Sequence, residues 1–292
     1  MYPRAFDYEA PASLEEAIEI LASHPGAKVL AGGHSLLPLM KLRLLSPELL
    51  VDIGRIPGLD QLREEGDYLV IGANVTHAQV ARSELVRRRA RALWEAASWV
   101  GDPQVRNRGT VCGSVAHADP ASDEPAAVLA MGATLVARSV EGTREITADE
   151  FFVDTMLSAL QENEILIEIR IPLSENGQGS AYDKLGRRGG HSDFAVAGSA
   201  AWVRMVRGTV AEARIAVTGV GTVAGLAPGV AEALVGTDGS PEAIEQAAAR
   251  ATEGITVIGD LYGSEEYKAH LARVFTQRAL RTAFARASNL AQ

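Results

Sequence analysis

The sequence predicts an α+β fold that ends in a small α+β C-terminal domain, and three observations support this. Short apolar runs typical of strands alternate with segments of helical spacing from the first residues onward. The stretch "SENGQGSA" is rich in turn-forming residues and marks a boundary near residue 176. Beyond it, two strand-like runs precede Ala-rich helical segments. A length of 292 residues fits two or three domains.

The first 50 residues are predicted to fold as strand, helix, strand, turn and helix. Ser13 and Glu16 fit a capping box, and the helix of about ten residues that they begin ends at the "HPG" of residues 24–26. Residues 28–31 form a short apolar strand, from which the glycine turn "AGGHS" leads into the next helix. This order predicts a small α/β unit, the N-terminal subdomain of residues 1–55.

A middle subdomain is predicted over residues 56–175. The strand-like run "LLVDI" ends the N-terminal subdomain, and after the next such run, "YLVIGANV", a helical segment covers about residues 78–99. Ser122 and Asp123 can cap a helix that has Pro125 in its first turn, and the strand "ATLVA" follows it. "EILIEIRIP" alternates apolar and polar residues, as a half-buried strand does.

Residues 176–292 are predicted to form the C-terminal domain. The runs "AVAGSAAWVRMV" and "TVAEARIAVTGVG" flank the dipeptide "RG", which predicts a hairpin. The segment "GVGTVA" at the end of the second run matches the outline of a dinucleotide-binding fingerprint. Because "GLAPG" follows it in place of a helix, we interpret it as a tight connection in a sheet.

Composition and charge exclude several classes of function. A formal net charge of −9 argues against a nucleic acid or an anionic membrane surface as the main partner, because binding to phosphate needs an excess of Lys and Arg. The basic cluster "RRRAR" at residues 87–91 is interpreted as a solvated helix face, with a docking patch for another subunit as the alternative. No apolar run is long enough to span a bilayer, and the first residues lack a signal-peptide pattern, which together predict a cytoplasmic protein.

Residues that could bind a metal or perform catalysis form no recognisable group in the sequence. Cys112 is the only cysteine, which excludes an intrachain disulfide, a cysteine-rich zinc site and an iron–sulfur cluster held by this chain alone. The six histidines are scattered, and neither a G-x-S-x-G elbow nor a Walker lysine loop is present. We therefore expect a bound cofactor to carry the chemistry.

The glycine turn "AGGHSLLPLMK" has the features of a phosphate site. Gly32 and Gly33 would let the backbone approach a ligand, Ser35 and the backbone N–H groups would donate hydrogen bonds, and Pro38 suits the first turn of the helix. The alternative is a plain turn that Ser35 caps.

A second segment, "RGTVCGS" at residues 108–114, has the same ingredients. Gly109 and Gly113 give the backbone freedom, and Thr110 and Ser114 supply hydroxyl groups. Two such turns in one α/β half, without an excess of basic residues, suit a ligand with two phosphates and much apolar surface. A dinucleotide fits this description.

Four ordered segments resemble a known family. "LAGGHSLLPLMKLRL", "DPQVRNRGTVCGSVAHADPASDEPA", "EILIEIRIP" and "YDKLGRRGGHSDFAVAG" are similar to the FAD-binding medium subunit of the molybdenum hydroxylases, the xanthine dehydrogenase family, and above all to the aerobic carbon monoxide dehydrogenase type. The resemblance covers essentially the whole chain. It implies a two-subdomain FAD-binding fold of the vanillyl-alcohol-oxidase (PCMH) type, with FAD between the subdomains, followed by an α+β domain of the CO dehydrogenase flavoprotein type.

The resemblance also implies that the two glycine loops clasp the pyrophosphate and the ribityl chain of FAD, with His117 in the same region. The implied residues of the first loop are Leu30, Ala31, Gly32, Gly33, His34, Ser35 and Leu36. Those of the second are Thr110, Val111, Cys112, Gly113 and Ser114.

Five further positions are implied by the same resemblance. Asp123 corresponds to a carboxylate that contacts the adenosine part of FAD, and a helix cap is its alternative role. Leu166 corresponds to a residue packed near the isoalloxazine ring, with Val100 and Gly101 in the segment beside it. Lys184 corresponds to a contact with the flavin.

The second loop departs from the family pattern T-[IL]-G-G-[ND] at two positions. Cys112 replaces a glycine, and Ser114 replaces Asn or Asp. A Cβ at residue 112 restricts φ, so we expect a change in loop shape or in affinity. A small packing residue is the favoured role for Cys112, with redox sensing as the alternative.

As a member of such a complex, the chain would receive electrons from a small subunit with [2Fe–2S] clusters, fed by a large subunit that binds the molybdenum cofactor. The resemblance implies a dimer of heterotrimers, with a quinone or NAD⁺ as the terminal acceptor, and leaves the substrate open. Two other hypotheses are a self-sufficient flavin oxidase or dehydrogenase and a nucleotide-binding regulatory module. The absence of an acid/base constellation argues against the first of these, and the second predicts a protein without flavin absorbance.

Overall fold

The computed structural model describes residues 2–189 and 193–289, and it begins with a small parallel sheet. Its elements are β1 (Asp7–Glu9), α1 (Leu14–Ser23), β2 (Lys28–Leu30), α2 (Leu36–Lys41) and β3 (Leu49–Asp52). The strand order is β1-β3-β2, and both pairs are parallel. The predicted order of elements over the first 50 residues is confirmed. Gly190, His191 and Ser192 of the fourth family motif lie outside the described residues.

The N-terminus of α1 differs from the predicted capping box in one bond. The Ser13 hydroxyl accepts the backbone N–H of Glu16 at 3.2 Å, as expected. The Glu16 carboxylate, however, accepts the backbone N–H of Ala12 at 2.8 Å and not that of Ser13. The predicted start of the helix is therefore confirmed. The second bond of the capping box, the one to the Glu16 carboxylate, comes from the residue before the predicted one.

A five-stranded antiparallel sheet forms the middle of the molecule, in the order β4-β5-β10-β6-β7. Its strands are β4 (Leu62–Glu65), β5 (Tyr68–Gly72), β6 (Thr134–Ser139), β7 (Gly142–Thr147) and β10 (Ile165–Pro172). The sequence predicts the three inner strands, because these carry apolar runs. It does not predict the edge strands β4 and β7, in which most residues are polar.

The predicted helix over residues 78–99 is three helices, α3 (His77–Arg82), α4 (Glu84–Arg89) and α5 (Arg91–Trp99). Ser83 and Ala90 leave helical geometry between them, and the Ser83 hydroxyl accepts the N–H of Val86 as the cap of α4. Continuous helical spacing conceals such breaks, because the apolar face continues across them.

The basic cluster of residues 87–91 lies on α4 and the start of α5. Arg87 pairs with Glu84 at 2.6 Å, and Arg89 pairs with Glu64 at 2.7 Å. Arg91 lies over the Trp94 ring. These pairs fit the predicted solvated helix face.

Shorter elements connect the sheet to the rest of the molecule. Helices α6 (Pro103–Arg106), α7 (Val111–His117), α8 (Asp123–Ala130) and α9 (Ala148–Phe151) precede a two-stranded hairpin. Its strands are β8 (Phe152–Asp154) and β9 (Leu157–Ser158). Every residue of α8 is buried, and this helix packs between the middle of the molecule and the C-terminal domain.

The C-terminal domain is an antiparallel sheet with helices packed on it. The strands β11 (Gln178–Gly186), β12 (Ala195–Val206), β13 (Thr209–Thr218) and β14 (Gly225–Leu226) pair in chain order. The predicted hairpin is confirmed, since β12 and β13 join at Arg207 and Gly208, which both have positive φ, as a tight hairpin turn requires. The "GVGTVA" segment connects β13 to β14, as interpreted.

Three helices complete the C-terminal domain: α10 (Pro228–Leu234), α11 (Pro241–Ala248) and α12 (Glu265–Asn289). The long helix α12 covers β11 and β12. Several hydrogen bonds join this domain to α5; among them, the Ser180 hydroxyl accepts the N–H of Ala92 at 3.2 Å, and Glu95 accepts the N–H of Tyr182 at 2.9 Å. Within the described ranges, no helix combines the length and the apolar character that crossing a membrane demands.

Candidate functional site

A cavity of about 1040 Å³ lies where the two glycine loops meet. Small-molecule sites in proteins occupy roughly 300–1,000 Å³, so this cavity is large enough for a dinucleotide. Sixteen of the eighteen sequence-predicted residues line it: Leu30, Ala31, Gly32, Gly33, His34, Ser35, Leu36, Val100, Gly101, Thr110, Cys112, Gly113, Ser114, His117, Asp123 and Leu166. The other two, Val111 and Lys184, are buried behind its wall.

The first glycine loop joins β2 to α2 and touches the second loop directly. A Cβ added at Gly32 would lie 2.7 Å from the Cα of Gly109 and closer still to the carbonyl oxygen of Arg108. Gly33 has φ of +74°, which a residue with a side chain rarely adopts. Glycine is thus required at the two positions for different reasons. Gly32 permits the contact between the two backbones, and Gly33 permits the turn.

The structure tests two expectations about this loop, the position of Pro38 in the helix and the role of Ser35 as a cap. Pro38 is the third residue of α2, within the first turn as predicted. Ser35 has helical φ and ψ, and its side chain makes no capping hydrogen bond. The alternative of a plain turn capped by Ser35 is therefore wrong, and the Ser35 side chain lines the cavity.

The second loop is fixed to the segment that follows β5. The backbone N–H of His77 donates to the Gly109 carbonyl at 3.0 Å, and that of Val111 donates to the Val75 carbonyl at 3.0 Å. The Thr110 hydroxyl accepts the N–H of Gly113 at 3.1 Å as the N-cap of α7. The amides of Val111 and Gly113 are therefore bonded within the protein, and the Thr110 hydroxyl still has its proton to donate.

Cys112 is a packing residue. It is buried, and its Sγ lies 3.6 Å from the carbonyl oxygens of Ile71 and Gly72 in β5. Burial raises the pKa of its thiol far above the ordinary range. Cys112 also has no positive φ. Cys112 therefore adopts its backbone conformation without strain, while the expected effect on affinity stays a prediction. The buried thiol does not suit redox sensing.

Asp123 is bonded to the C-terminal domain. It is the first residue of α8, and its carboxylate accepts the Tyr182 hydroxyl at 2.5 Å and the Lys184 ammonium at 2.5 Å. Lys184 also donates to the carbonyls of Trp99 and Asp193. Burial raises the pKa of Asp123 to about 7, although Lys184 opposes this. Neither Asp123 nor Ser122 makes the predicted side-chain cap, because the Asp123 carboxylate is bonded to the C-terminal domain.

A second buried pair lies next to Asp123 and was missed in the sequence. The Nδ1 of His77 lies 2.6 Å from the Oε1 of Glu124, and the Ser114 hydroxyl donates to the Oε2 of Glu124 at 3.0 Å. Burial raises the pKa of Glu124, but His77 and Ser114 outweigh it, so the net pKa is lowered. His77 and Glu124 both line the cavity. No local spacing joins them, so only the fold reveals the pair.

The remaining predicted residues lie around the cavity in less polar surroundings. Burial lowers the pKa of His34 and of His117, which favours neutral imidazoles. Gly101 has φ of +45°, and the Arg106 guanidinium donates to the carbonyls of Val100 and Gly101. Residues without a distinctive sequence pattern also line the cavity: Leu39, Leu44, Asp102, Met156, Leu157, Gln161, Arg188, Asp193 and Phe194. Within residues 2–189 and 193–289, no group of His, Cys, Asp or Glu could hold a metal ion.

Family models match almost the whole chain. Residues 4–174 match the FAD binding domain in molybdopterin dehydrogenase, and residues 180–283 match the CO dehydrogenase flavoprotein C-terminal domain. The chain belongs to the family of FAD-binding medium subunits of molybdenum hydroxylases. It is thus an oxidoreductase subunit with an FAD-binding domain, and the family and fold class implied by the four motifs are confirmed.

Curated relatives of this medium subunit match it from end to end. It is 44% identical to the carbon monoxide dehydrogenase medium chain of Hydrogenophaga pseudoflava, over 98% of this chain and 99% of the relative. It is 37% identical to the 6-hydroxypseudooxynicotine dehydrogenase complex subunit alpha of Paenarthrobacter nicotinovorans, over 98% of this chain and 97% of the relative. Relatives of similar length thus belong to enzymes named for different substrates.

Solved structures show the same fold. The carbon monoxide dehydrogenase of Hydrogenophaga pseudoflava matches with a TM-score of 0.94 at 44% identity, over 98% of this medium subunit and 99% of that chain. Quinoline 2-oxidoreductase from Pseudomonas putida 86 matches with a TM-score of 0.91 at 34% identity, over all of both chains.

Proposed function

We propose that this medium subunit binds FAD in the cavity between its glycine loops and transfers electrons within a molybdenum hydroxylase. The observation that carries this proposal is the direct contact of two glycine loops at a cavity of about 1040 Å³. The cavity has the volume for a dinucleotide, and a side chain at Gly32 would clash with the backbone of the second loop and force the two loops apart. FAD, when bound, supplies a centre that accepts electrons singly and releases them in pairs.

Residues on either side of the loop contact have distinct roles in this proposal. The first loop, with its turn at Gly33, and the start of α7 hold the pyrophosphate and the ribityl chain, with His117 beside them. Leu166, Val100 and Gly101 form the apolar wall for the isoalloxazine ring. These surfaces position the cofactor and exclude water from it.

In this proposal Lys184 takes a different role from the one that the resemblance implied, and Asp123 keeps its role. Lys184 is fully buried and bonded to Asp123 and to two backbone carbonyls, so it supports the cavity wall from behind. Asp123 lines the cavity and presents its carboxylate to the adenosine part of FAD while Tyr182 and Lys184 hold it in place.

The partners in the proposal are a small subunit with [2Fe–2S] clusters and a large subunit with the molybdenum cofactor, assembled as a dimer of heterotrimers in the cytoplasm. The single cysteine supports this, since iron–sulfur clusters need several thiolates and must therefore lie in another chain. A relative of known structure is the Cu,Mo-CO dehydrogenase. The terminal acceptor is a quinone or NAD⁺. A carbon monoxide dehydrogenase is the first candidate for the whole enzyme, on the 44% identity to such a medium chain.

Flavin binding tests the proposal through a pair of valine variants. Gly33→Val and Gly26→Val place the same branched side chain at a similar positive φ, +74° and +83°, and only Gly33 lines the cavity. We expect the wild-type protein and Gly26→Val to bind FAD, measured by flavin absorbance after gel filtration and by titration with added FAD. Gly33→Val should lose FAD. A colourless wild-type protein that also fails to take up added FAD would refute the proposal.

Co-purification tests the complex. The tagged chain, isolated from its native cell, should bring two further subunits together with iron, molybdenum and flavin. A flavin-containing protein that oxidises a substrate without partners would instead support a self-sufficient flavin enzyme.

A further inference from the structure

A continuous series of contacts runs from the first glycine loop into the protein interior. Gly32 touches Gly109. A Cβ added at Gly109 would lie 2.8 Å from the Cδ2 and Nε2 of His77, so this edge of the imidazole supports the second loop from behind. The opposite side of the ring reaches Glu124, which also accepts the Ser114 hydroxyl.

Glu124 is the point at which these contacts converge. It lies in the first turn of α8, where the helix dipole favours a negative charge, and it is 1% exposed. His77 lies behind the second loop, and Ser114 is the last residue of this loop, within α7. The two oxygens of one carboxylate therefore hold the second loop at two places.

We propose that Glu124 is a positioning residue for the cofactor: through His77 and Ser114 it holds the second glycine loop against the first at the spacing that FAD requires. This inference rests on the proposed function. Glu124 acts through the loop, because its Oε2 accepts the Ser114 hydroxyl and its Oε1 lies against the His77 Nδ1 at 2.6 Å, a close contact without hydrogen-bond geometry. Its second acceptor oxygen matters as well as its shape, because an amide offers one acceptor oxygen where the carboxylate offers two.

The variant Glu124→Gln tests this with little change in volume. One of the two contacts then faces an NH₂ group, and the second loop loses one of its supports. We expect the Kd for FAD to rise on the order of tenfold, the equivalent of about 1.4 kcal/mol. The measurement is a titration of the apoprotein with FAD, with far-UV circular dichroism to show that the variant is folded.

Glu95→Gln is the matched control. Glu95 is also a buried carboxylate that accepts bonds from two elements, Arg286 of α12 and the N–H of Tyr182, but it does not line the cavity. We expect Glu95→Gln to lower stability and to leave the Kd for FAD within about twofold, a small effect on the affinity scale. An unchanged Kd in Glu124→Gln, or an equal rise in both variants, would overturn the proposal.

A double-mutant cycle separates positioning from general destabilisation. If Glu124 acts through His77, then His77→Gln with Glu124→Gln should weaken FAD binding no more than the stronger of the two single variants. Additive losses of FAD affinity would contradict the proposal that Glu124 acts through His77. Should Glu124→Gln not fold, Ser114→Ala removes only a hydroxyl group, and unchanged FAD affinity in that variant would overturn the proposal. A wild-type protein that binds no FAD would refute the proposed function itself.

Discussion

Gly32 shows how much one absent side chain contributes to this site. Glycine-rich turns are usually explained by positive φ or by space for a phosphate. Here the chain itself occupies the space, because the backbone at Arg108 and Gly109 lies against Gly32. The sequence motif predicts that a glycine is required at residue 32. It does not predict which residues Gly32 contacts, because these are far away in sequence and only the fold brings them close.

We expect Gly32→Ala to destabilise the protein by about 2 kcal/mol, because the added Cβ meets backbone atoms that cannot rotate away. FAD affinity should fall with it, as the loops are forced apart. Urea denaturation and FAD titration measure the two effects. Gly225→Ala is the control, since its Cβ would meet nothing within 4 Å. Equal effects at the two glycines would show that the loop contact is unimportant.

Cys112 should be inert in the folded protein. Its thiol is buried, and its raised pKa keeps it protonated at neutral pH, whereas the thiolate is the reactive form. We expect no reaction with an aromatic disulfide reagent at pH 8 until denaturant is added, after which one thiol per chain should react. Rapid modification of the native protein would show that the second loop opens in solution.

At the scale of elements, helix α8 begins with two consecutive carboxylates that serve opposite sides of the molecule. Asp123 binds the C-terminal domain through Tyr182 and Lys184, and Glu124 binds the glycine-loop side through His77 and Ser114. Because the helix is buried throughout, its start is a rigid bridge between these groups.

The raised pKa of Asp123 predicts a pH dependence of stability. Its ordinary pKa is 3.8, and burial raises it to about 7 in the folded state, so the folded protein binds this proton more tightly than the unfolded chain does. The contribution to stability is fully present below about pH 4 and is lost as the pH rises to about 7. Relative to Asp123→Asn, the unfolding free energy of the wild type should fall across this window in urea titrations. A difference that rises with pH would contradict the raised pKa.

Elements with a strong local signal could be predicted from the sequence, and those without one could not. The β12–β13 hairpin and helix α1 have turn and capping residues at their ends. The break at Ser83 and the polar edge strands β4 and β7 lack a distinctive pattern, since pairing and packing define them. For the same reason, the family resemblance pointed to sixteen residues that line the cavity but missed His77 and Glu124, whose pairing depends on the fold.

At the scale of the whole molecule, charged pairs join the C-terminal domain to the rest. Arg286 of α12 donates to the Ser180 carbonyl at 2.6 Å and to Glu95 of α5 at 2.5 Å. The structure thus links the last helix of the chain to a helix that packs beside the cavity-lining segments.

Arg286→Ala should lower the unfolding free energy by about 2 kcal/mol, because it leaves the largely buried Glu95 with only one cation, Arg91, at the longer distance of 3.4 Å. Arg281→Ala on the same helix is the control, as Arg281 is exposed. Urea denaturation followed by tryptophan fluorescence gives both values, and we expect little change in the control. A similar loss of unfolding free energy in the two variants would indicate that any change in α12 destabilises the protein, and that the Arg286–Glu95 pair has no special role.

The cavity is lined by residues from Ala27 to Phe194, so its wall is complete only when the chain has passed residue 194. A ribosome that has released the first 175 residues has already exposed both glycine loops, yet it has not supplied Lys184, Asp193 or Phe194. We therefore expect the nascent chain to remain unable to retain FAD until late in translation. FAD binding would then be a late step of biogenesis. A chain truncated before β12 would lack part of the cavity wall and would not retain FAD.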